Sequence, residues 1–342
     1  MTVFDPGPVV QALTGDIGLR AFNDTIRERR ATRFEAAIGA ETCARLFDLS
    51  TMESLFASGA IPLASVDLYE GGQLTRLADV QNKSGKTGLA IITERFRGGA
   101  TIRLRDVDSC DLRLSQFAAA VRRRFAAQSQ INVYLTPPRQ GGFPPHFDIT
   151  DVFILQCLGA KEWRLFERYT TQVDLPLPDT NWDPDRYRPL DTPGPTILSA
   201  GDVLYIPRGV MHQTSCAERA SLHLTISLTP LTFVDLITRE LQRVAATSLG
   251  YRQRVPWSVE GDDPAETTRI ADTARSCLRE LAAALDVSAM IDAERRLFQK
   301  SGAEAGSPSG VIDSLGHLFD SESEAPFPSS PAASGGERKT SR

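Results

Sequence analysis

Hydrophobic and polar positions change their period twice along this chain. Up to about residue 60 they suggest short helices, with Ile17, Phe22 and Ile26 on one rough stripe. A second helical segment follows around Leu46, Met52 and Leu55, with Ser50 or Thr51 as its N-cap. Residues 61–106 look strand-like: IPLASVDLY, GLAIIT and TIRLRDV are separated by Gly-Gly or Ser-Gly turns. The intervening GGQLTRLADVQNKSGKTG (71–88) has the character of a mobile surface loop. A helix is expected near 114–126, where Leu114, Phe117, Val121 and Phe125 share a face. From 131 to 229 the runs INVYL, DVFILQCL, EWRLFE, GDVLYIP and SLHLTISL are short, apolar and punctuated by Gly and Pro. That pattern predicts a β barrel or sandwich rather than a βαβ sheet.

After Pro230 helical spacing returns. Thr232 and Asp235 form a capping pair, and Val234, Ile237, Leu241 and Val244 make the apolar stripe. A second helix starts at Asp263–Pro264 and carries Ile270, Ala274, Cys277, Leu281 and Leu285. The domain expectation is therefore an N-terminal helical and strand region (1–95) packing on the core, a β core (96–230) and a helical region (231–300). Residues 301–342 are rich in Ser, Pro, Gly and Glu and are expected to be largely disordered, with a short helix at 311–319.

Composition removes several classes of function. The chain has 342 residues, 41% of them hydrophobic and 24% charged, in the range of a globular protein. With 38 basic against 43 acidic residues, the net charge of −5 gives nucleic acid no expected place as partner. No apolar run reaches the roughly 18 residues of a membrane span, and MTVFDPG lacks the basic and apolar regions of a signal peptide. Five cysteines without a C-x-x-C pair fit reduced thiols in a cytoplasm.

Two of the four histidines stand in informative contexts. In GGFPPHFD, His146 and Asp148 are two residues apart and, on a strand, would share a face. Alone, that pair is a weak signal. GDVLYIPRGVMH fits G-x5-P-x-G-x2-H through Gly201, Pro207, Gly209 and His212, a pattern expected by chance on the order of once per thousand sequences of this composition. The Gly201–Asp202 turn enters a strand, and Pro207–Gly209 turns the chain so that His212 points back into the barrel mouth. His146, Asp148 and His212 form a two-histidine, one-carboxylate set that leaves open metal positions, as non-haem Fe(II) oxygenases require.

Over INVYLTPPRQGGFPPHFDITDVFILQCLGAKEWRLFE (131–167) and ILSAGDVLYIPRGVMHQTS (197–215) the sequence resembles the JmjC-type cupins of the ribosomal oxygenase group. The resemblance covers about two thirds of the chain. It implies a mainly β fold with flanking helices, built on a double-stranded β-helix. It also implies Fe(II), 2-oxoglutarate as co-substrate and O2, with hydroxylation of a protein or peptide C–H bond and release of succinate and CO2. His146, Asp148 and His212 would hold the metal. Lys161, fifteen positions after His146, would pair with the distal carboxylate of 2-oxoglutarate. Asn132, Tyr134 and Thr136 match polar pocket positions, and the final strand offers Ser221, His223 and Thr225 on one face as further positions, Ser221 and Thr225 being taken as co-substrate candidates. His223, on the same face, is read as a satisfied core histidine and is not assigned to the metal. No catalytic residue is expected beyond the metal centre. The helices after 230 would form a homodimer. The family's C-terminal winged-helix domain has no counterpart in the roughly 40 residues after those helices. A precursor peptide of a natural product, or a small metabolite, therefore competes with a ribosomal protein as substrate. A cupin that binds metal without turnover is the non-enzyme alternative.

Overall fold

The structure is a computed structural model that describes residues 5–304 except 177–179, 182, 217 and 256–262. The tail expected to be disordered, with its short helix at 311–319, lies outside the described residues. In chain order the helices are α1 Gly7–Ala12, α2 Gly18–Arg27, α3 Ala40–Leu46, α4 Leu49–Ala57, α5 Leu77–Ser84, α6 Gly88–Arg97, α7 Leu112–Phe125, α8 Phe233–Thr247, α9 Pro264–Ala284 and α10 Val287–Glu304. The strands are β1 Thr32–Phe34, β2 Val66–Glu70, β3 Gln73–Arg76, β4 Thr101–Leu104, β5 Ala127–Thr136, β6 Asp151–Leu158, β7 Ala160–Phe166, β8 Thr196–Ser199, β9 Val203–Ile206, β10 Met211–Ser215 and β11 Ser221–Pro230.

The strands form two antiparallel sheets: eight strands in the order β1-β9-β6-β11-β5-β4-β2-β3, and three in the order β10-β7-β8. Strand alternation splits each central strand between two cores. On β6, Phe153, Leu155 and Cys157 face the helices, where Phe22, Leu46, Phe117 and Val121 cover them. Val152 and Ile154 face the other way and meet Trp163 and Leu198 of the small sheet. The two sheets thus close on each other as the expected double-stranded β-helix. Helices cover the outer face of the large sheet. A third apolar cluster joins Phe147, Phe166, Tyr169, Tyr187 and Met211 beside the barrel mouth.

Several local expectations are corrected. GLAIIT is not a strand: it is the start of α6, capped by the Thr87 side chain accepting from Ala90 N, with Ile91 and Ile92 buried. The stretch 71–88 is not one loop but β3 followed by α5, which ends at Gly85 in the left-handed conformation. α4 is capped by Asp48, whose carboxylate accepts from Thr51 N at 2.8 Å, rather than by Ser50 or Thr51. Ile17 and Ile26 of the first stripe are exposed, while Phe22 is buried against Phe125, Phe153 and Tyr205. α8 ends at Thr247, and a separate 3-10 turn begins at Gly250. The Thr232–Asp235 capping box and the Asp263–Pro264 helix start are present. Among the described residues no helix is long and apolar enough to cross a membrane.

Candidate metal and co-substrate site

The segment 137–150 runs beside β10 without forming a continuous strand. Pro137, Pro138, Pro144 and Pro145 lack the N–H groups a ladder needs. Pairing survives at two points, Gly141 with Ser215 and His146 with His212. The second is the one the site uses. His146 N donates to His212 O at 3.0 Å, and His212 N to His146 O at 2.7 Å. The two ligand histidines are thus locked side by side through their own backbones, with ring centroids 4.5 Å apart. His146 and Asp148 share a face not because they lie on a strand but because this bridge fixes one and Gly209 N, donating to Asp148 O at 2.9 Å, fixes the other.

The G-x5-P-x-G-x2-H motif supplies that geometry. Gly201 (φ +100°) and Gly209 (φ +82°) occupy conformations that side chains resist. A Cβ at Gly209 would come within 2.7 Å of Val173 O. Asp202, buried, accepts from Ser199 N, Ala36 N and Arg33 and so ties the turn to β1.

The histidine tautomers follow from local hydrogen bonds. His146 Nδ1 donates to Pro144 O at 2.8 Å and His212 Nδ1 to Val210 O at 3.0 Å. A carbonyl only accepts, so each Nδ1 carries the proton and each Nε2 keeps its lone pair for a metal. The Nε2 atoms lie 4.0 Å (His146) and 3.8 Å (His212) from the Asp148 carboxylate oxygens. All three ligand atoms fall within 4.8 Å of one another, and no other such group of His, Cys, Asp or Glu occurs among the described residues. Burial, and then His146 beside it, lower the His212 pKa to about 4, so the imidazole is neutral and ready to ligate at neutral pH.

Behind the cluster the cavity runs inward between the sheets. Its lining includes Lys161, 2% exposed. Lys161 Nζ donates to Thr136 Oγ1 at 3.0 Å, and no carboxylate lies within ion-pair distance of it among the described residues. Burial lowers its pKa to about 8. An ammonium held in the interior without an anion is costly, so a ligand carboxylate is the natural complement. Tyr134 and Thr225 line the same cavity, with Ile154, Trp163 and His223. Burial also raises the Tyr134 pKa, against the opposing charge of Arg103, which itself donates to Asp67.

Not all candidates meet there. Asn132 Oδ1 accepts from Asp106 N at 3.1 Å, away from the cavity lining. Ser221 Oγ accepts from Gln156 Nε2 at 2.9 Å and is likewise outside the lining. Phe143 and Thr214 line the site without having been anticipated. Thr214 was findable, since on a strand it shares a face with His212 two residues before it.

The fold and this site define a cupin barrel with a His146–Asp148–His212 set that could hold a metal and a buried ammonium, Lys161, in the same cavity. The JmjC domain family matches residues 111–236. It is similar to ribosomal oxygenase 1 of Gallus gallus (30% identity over 229 residues, 64% of this chain and 37% of that protein). It is also similar to the bifunctional lysine-specific demethylase and histidyl-hydroxylase NO66 of Dictyostelium discoideum (34% over 200 residues, 55% and 38%). The chain thus spans less than two fifths of the length of these curated relatives. Among solved structures, E. coli ycfD aligns with a TM-score of 0.50 and 17% identity over 77% of this chain and 68% of that one, a likeness of fold.

Proposed function

We propose that this chain is an Fe(II)- and 2-oxoglutarate-dependent oxygenase that hydroxylates a C–H bond of a protein or peptide side chain, releasing succinate and CO2. One observation carries the reading. A compact His146–Asp148–His212 set shares a cavity with a buried ammonium, Lys161, that lacks an acidic partner. When bound, iron and 2-oxoglutarate supply the O2-dependent oxidation. The chain's residues do the rest. His146 and His212 present Nε2 and Asp148 a carboxylate oxygen, leaving positions on the metal for co-substrate and O2. Lys161 and the Thr136 hydroxyl hold the distal carboxylate and so fix the orientation of the 2-oxo acid. Trp163 and Ile154 keep the inner end dry.

The metal end is open, with the His146 and Asp148 side chains 26% and 37% exposed. That opening suits a side chain presented by a peptide better than an enclosed metabolite. The relatives' names make a ribosomal protein the first substrate class to try and a precursor peptide the second. The apolar positions of α8 support a homodimer: Val234 is 68% and Ile237 44% exposed in the single chain. All five cysteines are free, which fits the reducing cytoplasm.

The test is an anaerobic titration of the protein with Fe(II) and 2-oxoglutarate, watching for the weak visible band of the chelate. The band is expected in the wild type and weakened in His146→Ala and Lys161→Ala. Fe(II) binding without a band on adding 2-oxoglutarate would instead favour a metal-binding cupin without turnover. With the band established, mass spectrometry of candidate peptides for the gain of one oxygen identifies the substrate.

A further inference from the structure

His223 departs from the satisfied core histidine that its sequence context suggests. It sits on β11 opposite Tyr134 of β5 and Gln156 of β6, on the cavity side of the large sheet. Its neighbours on the strand, Leu222 and Leu224, face the helices. The imidazole is 2% exposed, and its Nδ1 has no hydrogen-bond partner. Two aromatic rings hold it in place. Tyr134 stacks on it at 4.9 Å with planes 3° apart, and Trp163 meets it edge-on at 5.5 Å. The ring is therefore fixed in orientation, deeply buried and polar, yet does not contribute a hydrogen bond to the fold from Nδ1. Nor is it a metal ligand, since the metal cluster does not include it. The charged group that acts on it is Lys161. Burial first, and that charge second, hold its pKa well below the ordinary value, so the ring is neutral and carries one N–H to donate.

Resting on the oxygenase reading above, we propose that His223 is a second anchor for the distal carboxylate of the 2-oxo acid co-substrate, donating to it beside Lys161 and thereby selecting a 2-oxo acid that ends in a carboxylate. One cation and one neutral donor suit a single negative charge. Two cations at this end would repel one another before the ligand arrived. The aromatic clamp supplies the preorganisation, because a ring that cannot turn away loses little freedom when the ligand binds.

The experiment uses Zn(II)-loaded protein, which binds without turning over, and isothermal titration calorimetry. The two probes are 2-oxoglutarate and 2-oxopentanoate, in which a methyl group replaces the distal carboxylate. His223→Phe keeps the ring and removes both nitrogens. It is expected to weaken 2-oxoglutarate roughly ten- to a hundredfold, the range for losing one hydrogen bond to a charged group, and to leave 2-oxopentanoate unchanged. His223→Asn, able to donate, is expected to recover part of the loss. If the phenylalanine variant does not fold, His223→Leu is read in the same way. Unchanged 2-oxoglutarate affinity, or equal weakening of both probes, would overturn the proposal, the latter by showing a packing role. A wild-type protein that takes up Zn(II) but binds no 2-oxoglutarate would remove the oxygenase reading itself, and this inference with it.

Discussion

Replacing Lys161 by methionine should make the protein more stable and less able to bind its co-substrate. Methionine keeps the unbranched apolar stem and removes the ammonium. Burial lowers the lysine pKa from 10.5 to about 8, and each unit corresponds to 1.36 kcal/mol. The charged form therefore costs the folded state about 3 kcal/mol at pH 7. Losing the hydrogen bond to Thr136 takes back about 1 kcal/mol at most, because Thr136 Oγ1 still lies 3.3 Å from Thr101 Oγ1. A net gain of about 2–3 kcal/mol in a body of this size raises the melting temperature by about 3–5 °C.

The sign in pH is also fixed. Between about pH 8 and 10.5 the unfolded chain holds the lysine proton and the folded one does not. Wild-type stability therefore rises relative to the variant across that window, and the variant's advantage fades. Thermal denaturation of metal-loaded, ligand-free protein at pH 7, 9 and 10.5 gives the first comparison. Adding 2-oxoglutarate gives the second. At a hundred times its Kd the ligand stabilises the wild type by about 2.7 kcal/mol and should leave Lys161→Met unmoved, closing or inverting the gap. A variant less stable than the wild type at pH 7 without ligand, or equally stabilised by the ligand, would refute the reasoning.

Two further outcomes follow from the same structure. His212 is neutral because burial and His146 lower its pKa to about 4, so the metal-free protein should lose stability as pH falls from 6.5 toward 4, where the unfolded chain takes up the proton first. Urea midpoints across that range measure the loss, and a His212→Asn variant with the same slope would contradict the assignment. On α8, Val234→Glu should change the stability of dilute protein by no more than about 0.5 kcal/mol, as exposed substitutions do, while converting dimer to monomer in light scattering; a wild type that is already monomeric ends the dimer reading.

The barrel strands were legible because each one carries both signals, short length and a split between two cores. Phe153, Leu155 and Cys157 alternate with Val152 and Ile154, and the sheet position follows. GLAIIT was not legible, since a short apolar run rich in isoleucine has no period of its own. The Thr87 cap and the Gly98 end decide for helix there, and both are local contacts rather than patterns. β3 gave no signal because all four of its residues are exposed. The metal set could be read from residue type and spacing, but not the way it is held. Prolines that forbid a ladder leave a single backbone bridge to position His146 against His212. The face of His223 was legible from strand alternation, but its lack of a partner at Nδ1 was not, because whether a buried nitrogen finds a partner depends on three strands and an aromatic pair distant in sequence.

The distribution of buried charge argues that the inner cavity, and not only the metal cluster, is what this fold maintains for function. Among the described residues the buried carboxylates are all compensated. Asp67 accepts from Arg103, Asp151 from Arg208 N, and Asp202 from Arg33 and two backbone N–H groups, while Glu240 and Glu294 pair with Arg243 and Arg239. Lys161 breaks that rule, its hydrogen bond going to a neutral hydroxyl. In the lining of the same cavity, His223 breaks the companion rule that buried polar groups are satisfied. Unpartnered buried side-chain atoms also occur on Arg29, Arg105, Arg124, Gln156, Asp191 and Tyr205, but of the residues so affected only Trp163 and His223 line the cavity that holds Lys161. Here the uncompensated cation and the unpartnered imidazole line one cavity, and Lys161 is among the charges that act on His223. Both defects are of a kind that one carboxylate would repair at once. On the oxygenase reading proposed above, local rules are broken where the co-substrate would complete them, and the stability sacrificed at Lys161 would be returned as co-substrate affinity.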